Sequence, residues 1–136
     1  MRHMIESTER TGDEDTAVVA RYTAVWNQRD ALVRRQGIAE LWVDNGVEYV
    51  EGARFEGLAE LDTRITEAYD EFVGSGKYRV THAEDARRSG NIVSFTIQLV
   101  TGTGEIDWAA RVFLILDGDG RIREDYQLTT RPLAAA

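Results

Sequence analysis

The chain has 136 residues, 43% of them hydrophobic and 29% charged, enough for one globular domain with a real core. Its net charge of −8 opposes nonspecific nucleic-acid binding, which needs a basic footprint, and Arg34-Arg35 and Arg87-Arg88 are only isolated basic pairs. There is no cysteine, so disulfides and thiolate metal sites are excluded, and no apolar run is long enough to span a bilayer. No charged segment followed by an apolar one opens the chain, so the cytoplasm is the expected compartment.

In chain order, the hydrophobic spacing predicts a first helix over residues 16 to 29. Val18, Tyr22, Val25 and Trp26 recur there at helical intervals, and Asp15 or Thr16 can cap the start. Asp30 is a good cap for a second helix, Ala31 to about Val43, with Ile38, Leu41 and Trp42 on its buried side. Asn45-Gly46 reads as the turn that ends it, before a short strand Val47 to Val50 and a partner segment Ala53 to Phe55. Leu58, Leu61, Ile65, Ala68, Tyr69 and Phe72 predict a third helix to Val73, stopped by Gly74-Ser-Gly76. The period then changes to two. Strands are predicted over Tyr78 to Ala86, Ile92 to Val100, Ile106 to Leu116 and Arg121 to Thr129, with turns at Arg88 to Asn91, Thr101 to Gly104 and Asp117 to Gly120. Residues 1 to 13 are expected to be a frayed or tag-like N-terminus, 14 to 131 a single domain, and 132 to 136 a tail. Helices first and an antiparallel meander last argue an α+β fold.

The last strand carries the sharpest chemical signal. Strict alternation places Ile122, Glu124, Tyr126 and Leu128 on one face and Arg123, Asp125, Gln127 and Thr129 on the other. The strand before it, Trp108 to Leu116, is apolar on both faces, as a strand covered on both sides is. Asp125 and Gln127 are then expected to point into protein, where a carboxylate needs a partner or a purpose. The alternative is an edge strand with one wet face.

Three segments, Arg21-Tyr-Thr-Ala-Val-Trp-Asn27, Ile38-Ala-Glu-Leu-Trp42 before Asp44-Asn-Gly46, and Gly120-Arg-Ile-Arg-Glu-Asp-Tyr126, resemble the nuclear transport factor 2-like superfamily, especially its SnoaL-like members. The resemblance covers roughly residues 14 to 131. It implies a cystatin-like cone, three helices packed on a strongly curved, mainly antiparallel sheet around a pocket. It also implies a homodimer through the outer sheet face, which bears Glu124, Tyr126 and Leu128. The superfamily holds isomerases, cyclases, hydrolases, dehydratases and noncatalytic binding modules, so the fold names no reaction. The first helix resembles that of ketosteroid isomerase, whose oxyanion-binding tyrosine matches Tyr22. That family's base and second aspartate fall near Val50 and Val112, both apolar, with Glu51 one residue from the first. The last strand resembles that of limonene epoxide hydrolase, whose water-positioning aspartate matches Asp125. Its Arg and Asp partners have no counterpart near Thr96 to Gln98. Polyketide cyclases of the superfamily that use a lone aspartate in this region offer the better-matching pattern.

Asp125 is the expected base, because burial beside apolar walls raises a carboxyl pKa toward neutrality. The alternative is a buried ion pair with Arg111 or Arg123. Tyr22 is a candidate donor to a substrate oxygen, or else a core tyrosine with a satisfied hydroxyl. His82 is a candidate second acid/base, or else an ordinary structural residue. Trp26, Trp42, Tyr69, Phe72 and Phe113 are candidate cavity walls, with Arg111 and Gln127 as polar contacts to the substrate. Trp108 faces away from Phe113 by strand parity and is assigned to a dimer surface. No metal or other cofactor is expected. His3 and His82 are the only histidines, and Asp117-Gly-Asp-Gly120 lacks the rest of a calcium loop. The expected function is cofactor-free acid/base chemistry (isomerisation, cyclisation, dehydration or hydrolysis) on a small apolar molecule. A noncatalytic small-molecule-binding or dimeric accessory module is the alternative.

Overall fold

A computed structural model describes residues 16 to 134. The expected tag-like segment lies outside the described residues. The first helix, α1, covers residues 16 to 27 and buries Val19, Tyr22, Val25 and Trp26 on one face. The second, α2 (Ala31–Leu41), starts at Asp30, whose carboxylate accepts from the N–H groups of Leu32 and Val33, each at 3.0 Å. The far end of α2 is closed from across the molecule. The Arg121 guanidinium donates to the carbonyls of Ala39 at 3.1 Å and Trp42 at 2.6 Å, where the helix dipole is negative.

The remaining elements are β1 (Trp42–Val50), β2 (Ala53–Glu56), α3 (Leu58–Ala68) with a π-helical turn over Tyr69–Val73, β3 (Arg79–His82), β4 (Arg87–Ser89), β5 (Ile92–Val100), β6 (Ile106–Leu116) and β7 (Ile122–Arg131). They form one sheet in the order β2-β1-β7-β6-β5-β3, with β4 also pairing to β5. β1 and β7 are parallel and every other pair is antiparallel. The parallel pair joins the first strand to the last and sets Glu48 directly opposite Asp125.

The helices cover one face of this sheet. Val93, Phe95 and Ile97 of β5 and Ala110, Val112, Leu114 and Leu116 of β6 pack there with Ile38, Leu41, Trp42, Leu61 and Ile65. Each such buried Leu, Ile or Phe contributes roughly 1.5–3 kcal/mol through apolar burial. Among the described residues no helix is long and apolar enough to cross a membrane.

The structure revises four details of the sequence reading. Asn45-Gly46 does not end a helix; it lies within β1, in an irregular stretch between Trp42, opposite Ile122, and Val47, opposite Glu124. The third helix does not continue as an α-helix to Val73. Its last turn widens, with the Gly74 N–H bonded back to the Tyr69 carbonyl at 2.7 Å. The strand expected over Tyr78 to Ala86 breaks after His82, because the Asp85 carboxylate takes the Thr96 N–H at 3.0 Å and its hydroxyl at 2.6 Å in place of a backbone ladder. Finally, a register shift opposite Ile115 and Leu116 inserts one residue into β7. Ile122 is therefore buried beside the helices and only Arg123 is displaced outward, so strict alternation holds from Glu124 to Thr129, beyond which the register shifts again.

Gly46 is required by space. A Cβ there would stand 2.8 Å from Trp42 Cδ1 and 3.1 Å from the Val43 carbonyl. Gly46→Ala is therefore expected to lower stability by about 1–3 kcal/mol through forced displacement of a core tryptophan. A urea melt that leaves the midpoint unchanged would refute the clash.

Candidate active site

Past the β7 bulge, Asp125 and Gln127 face the helices. Asp125 is fully buried and Gln127 is 3% exposed. Tyr22 reaches them from α1. Its hydroxyl donates to Asp125 Oδ2 at 2.6 Å and accepts from Gln127 Nε2 at 2.8 Å. The same amide nitrogen donates to Glu48 Oε2 at 3.2 Å. Glu48 is fully buried, and its other oxygen accepts from Arg64 Nε at 2.9 Å. Arg64 projects from α3 and lies over the rings of Trp26 and Phe55, 5.3 and 5.5 Å from their centroids.

Two carboxyls and one guanidinium thus meet behind apolar walls. Asp125 Oδ1 is buried with no hydrogen-bond partner of its own. The Glu48 and Asp125 carboxyls are within side-chain hydrogen-bonding reach of each other, a contact that raises the Asp125 pKa and lowers that of Glu48. Burial, and then the negative charge of Glu48, push the Asp125 pKa well above the usual carboxylate range, against the opposing Tyr22 hydrogen bond. Burial also raises Glu48, while the Arg64 charge pulls it back. The Tyr22 hydroxyl is pushed up by burial and by both carboxyls. Of the two carboxyls, Asp125 is thus pushed up without a cation of its own, whereas the Arg64 charge favours ionisation of Glu48.

Beside this network lies a cavity of about 340 Å³. Trp26 of α1 and Ala68, Phe72 and Val73 of α3 and its π turn form one wall. Val80, Ile97, Leu99 and Trp108 form the sheet wall, with Val50 and Leu133 completing the apolar lining. Arg64, Gln127, Glu51 and Thr129 supply the polar groups. The Glu51 carboxylate is already engaged by the Thr129 N–H at 2.8 Å.

Trp26, Phe72 and Gln127, expected to contact the substrate, line this cavity. Asp125 and Tyr22 do not; they lie one side chain behind Gln127. Trp42 is core, packed against Tyr22 with ring centroids 5.6 Å apart. Tyr69 lies under the Arg34 guanidinium, 4.8 Å from its ring centroid. Arg111 and Phe113 sit on the opposite sheet face, because the helices cover the Val112 side of β6. Arg111 pairs there with Asp85 at 2.8 Å rather than with Asp125. Trp108, assigned by parity to a dimer surface, is instead a cavity wall. His82 Nδ1 lies 3.1 Å from the Ala83 carbonyl and outside the cavity lining. Among the described residues no three His, Asp or Glu side chains gather as a metal site.

Glu48 and Arg64 were missed in the sequence reading. Both left a signal. Glu48 is a lone carboxylate within the strand Val47-Glu-Tyr-Val50. Arg64 shares the spacing of Leu61, Ile65 and Ala68, which places it on the covered face of its helix.

No protein-family model matches this chain, and no curated protein matches it in sequence. Solved structures do. One is a candidate isomerase of the SnoaL-like family from Agrobacterium tumefaciens, 23% identical, with a TM-score of 0.78 over 86% of this chain and 97% of that one. A candidate polyketide cyclase from Sinorhizobium meliloti is 15% identical, with a TM-score of 0.63 over 82% of this chain and 93% of that one. A protein of ketosteroid isomerase-like fold from Catenulispora acidiphila, solved in complex with trimethylamine, is 18% identical, with a TM-score of 0.61 over 81% of this chain and 82% of that one. The layered helices, the mixed sheet with its parallel β1–β7 pair and these likenesses agree, and the chain has the nuclear transport factor 2-like fold that these SnoaL-like and ketosteroid isomerase-like structures share.

Proposed function

We propose that the protein is a cofactor-free acid/base enzyme acting on a small, largely apolar molecule. The observation that carries this reading is the buried Glu48–Asp125 dyad, which lies behind Gln127 and Arg64, two polar residues lining a largely apolar cavity. Two desolvated carboxyls beside one guanidinium are a poor way to stabilise a core, and hydrophobic residues of similar volume do as well or better. Their environments separate the two proton affinities, as acid/base chemistry requires. In this reading neutral Asp125 is the acid and ionised Glu48 the base, held by Tyr22, Gln127 and Arg64. The substrate's polar end docks on Gln127 and Arg64, next to the pair. Isomerisation, cyclisation, dehydration and hydrolysis all fit such a site.

A second reading, binding without conversion, is favoured by one observation: neither carboxyl of the dyad lines the cavity. Incubation with a panel of apolar ketones, enones, epoxides and lactones separates the two. Product formation that depends on the dyad supports the enzyme, whereas retained ligands recovered unchanged support the binding module. Leu99→Trp serves as the control. It fills the cavity opposite Trp108, its cross-strand partner, and is expected to abolish binding and turnover while costing less than about 2 kcal/mol of stability. Full binding in a folded Leu99→Trp protein would place the ligand elsewhere. On the outer sheet face, stacked Tyr49 and Tyr126 rings and a Leu128 that is 56% exposed support the expected homodimer. Sedimentation as a monomer at micromolar concentration would count against it.

A further inference from the structure

Resting on the small-molecule reading above, the geometry points to a ligand whose head is neutral and carries an N–H or O–H donor beside an acceptor oxygen, as a carboxamide does. The orientation of Gln127 decides this. Its Nε2 faces two acceptors, the Tyr22 hydroxyl oxygen at 2.8 Å and Glu48 Oε2 at 3.2 Å. The Tyr22 hydrogen is already committed to Asp125. A flipped amide would press its carbonyl against both oxygens, so the nitrogen is fixed in place and both its hydrogens are used. The carbonyl Oε1 is left without a donor among the described residues, and it is not sealed in the interior. Gln127 therefore offers the cavity an acceptor.

Arg64 offers the complement. Only its Nε is engaged, at 2.9 Å from Glu48 Oε1, and its two terminal amino groups have no hydrogen-bond partner among the described residues. Arg64 and Gln127 are bonded to the two oxygens of one carboxylate, so their heads stand side by side at the cavity. An acceptor oxygen meets Arg64 and an adjacent donor meets Gln127 Oε1. A carboxylate head has no donor for Gln127 and would approach Glu48 and Glu51 as a like charge. A simple ketone satisfies Arg64 and leaves Gln127 unpaired.

The test is titration of the protein at neutral pH with three probes of matched shape, hydrocinnamamide, hydrocinnamate and benzylacetone, and with the hydrocarbon butylbenzene. Binding is followed by nuclear magnetic resonance shifts of the Trp26 and Trp108 indole signals. The amide is expected to bind about tenfold more tightly than the ketone and the carboxylate. In Gln127→Leu the amide and the ketone should bind alike; should that variant fail to fold, the order among the probes on the unaltered protein still decides. Equal or tighter binding of the carboxylate overturns the inference, as does butylbenzene matching the amide, and either leaves the small-molecule reading standing. Failure of all four probes to bind overturns both.

Discussion

Asp125→Asn is expected to lower turnover about 10³-fold while keeping the fold, the range that loss of one acid/base group usually gives. An asparagine can copy the neutral acid. Its carbonyl can accept from Tyr22 where Oδ2 did, and its N–H₂ can donate to the facing Glu48 carboxylate. Hydrogen bonding is thereby kept and proton transfer removed. The same substitution has a consequence that needs no substrate. Asp125 and Glu48 both bind protons more tightly in the folded chain than in the unfolded one. Their contribution to stability is complete below the unfolded carboxyl pKa, about 4, and is lost as pH rises toward the folded values. Asp85 and Asp117 are shifted the opposite way, so their contributions are present above about pH 4 and fade only below it. Urea midpoints measured from about pH 4 to 8 should therefore fall in the parent and fall less steeply in Asp125→Asn. Parallel curves would mean that Asp125 carries no displaced proton, and undiminished turnover would remove it from the chemistry.

Arg64→Met keeps the apolar stem over Trp26 and Phe55 but strips Glu48 of its counter-charge. A buried carboxylate left alone is costly, and stability at pH 8 should drop by about 3 kcal/mol. The loss should shrink at about pH 5. Without Arg64 the Glu48 pKa rises further, and at low pH the carboxyl is buried neutral. Chemical denaturation at the two pH values reads the difference directly. An equal loss at both would assign the effect to packing rather than charge. Arg64→Lys should not restore ligand selection, because an ammonium cannot hold Glu48 and a ligand oxygen with one planar fork.

Local rules sufficed for elements whose residues interact with near neighbours. Asp30 caps α2 through N–H groups two and three residues on, and β5 and β6 have the predicted bounds because each hairpin carries its own turn and its own alternation. The errors lie where a distant group competes with a local pattern. The Asp85 side chain replaces a strand ladder on Thr96, and a single extra residue in β7 moves Ile122 into the core. Parity was right that Trp108 and Phe113 point oppositely. Which of them meets the cavity depended on where the helices pack, and a single strand does not record that.

By itself the sequence determined an α+β chain with three helices, a closing meander and an Asp125–Gln127 pair that points inward. Those follow from side-chain periodicity and turn chemistry, which act over a few residues. Tertiary structure decided the site. Only the parallel pairing of β1 with β7 sets Glu48 against Asp125, and only the packing of α3 across that pair supplies Arg64. Groups this far apart in the chain perturb each other's proton affinity because the fold buries them together, and burial, which no local pattern encodes, is the largest cause raising both pKa values.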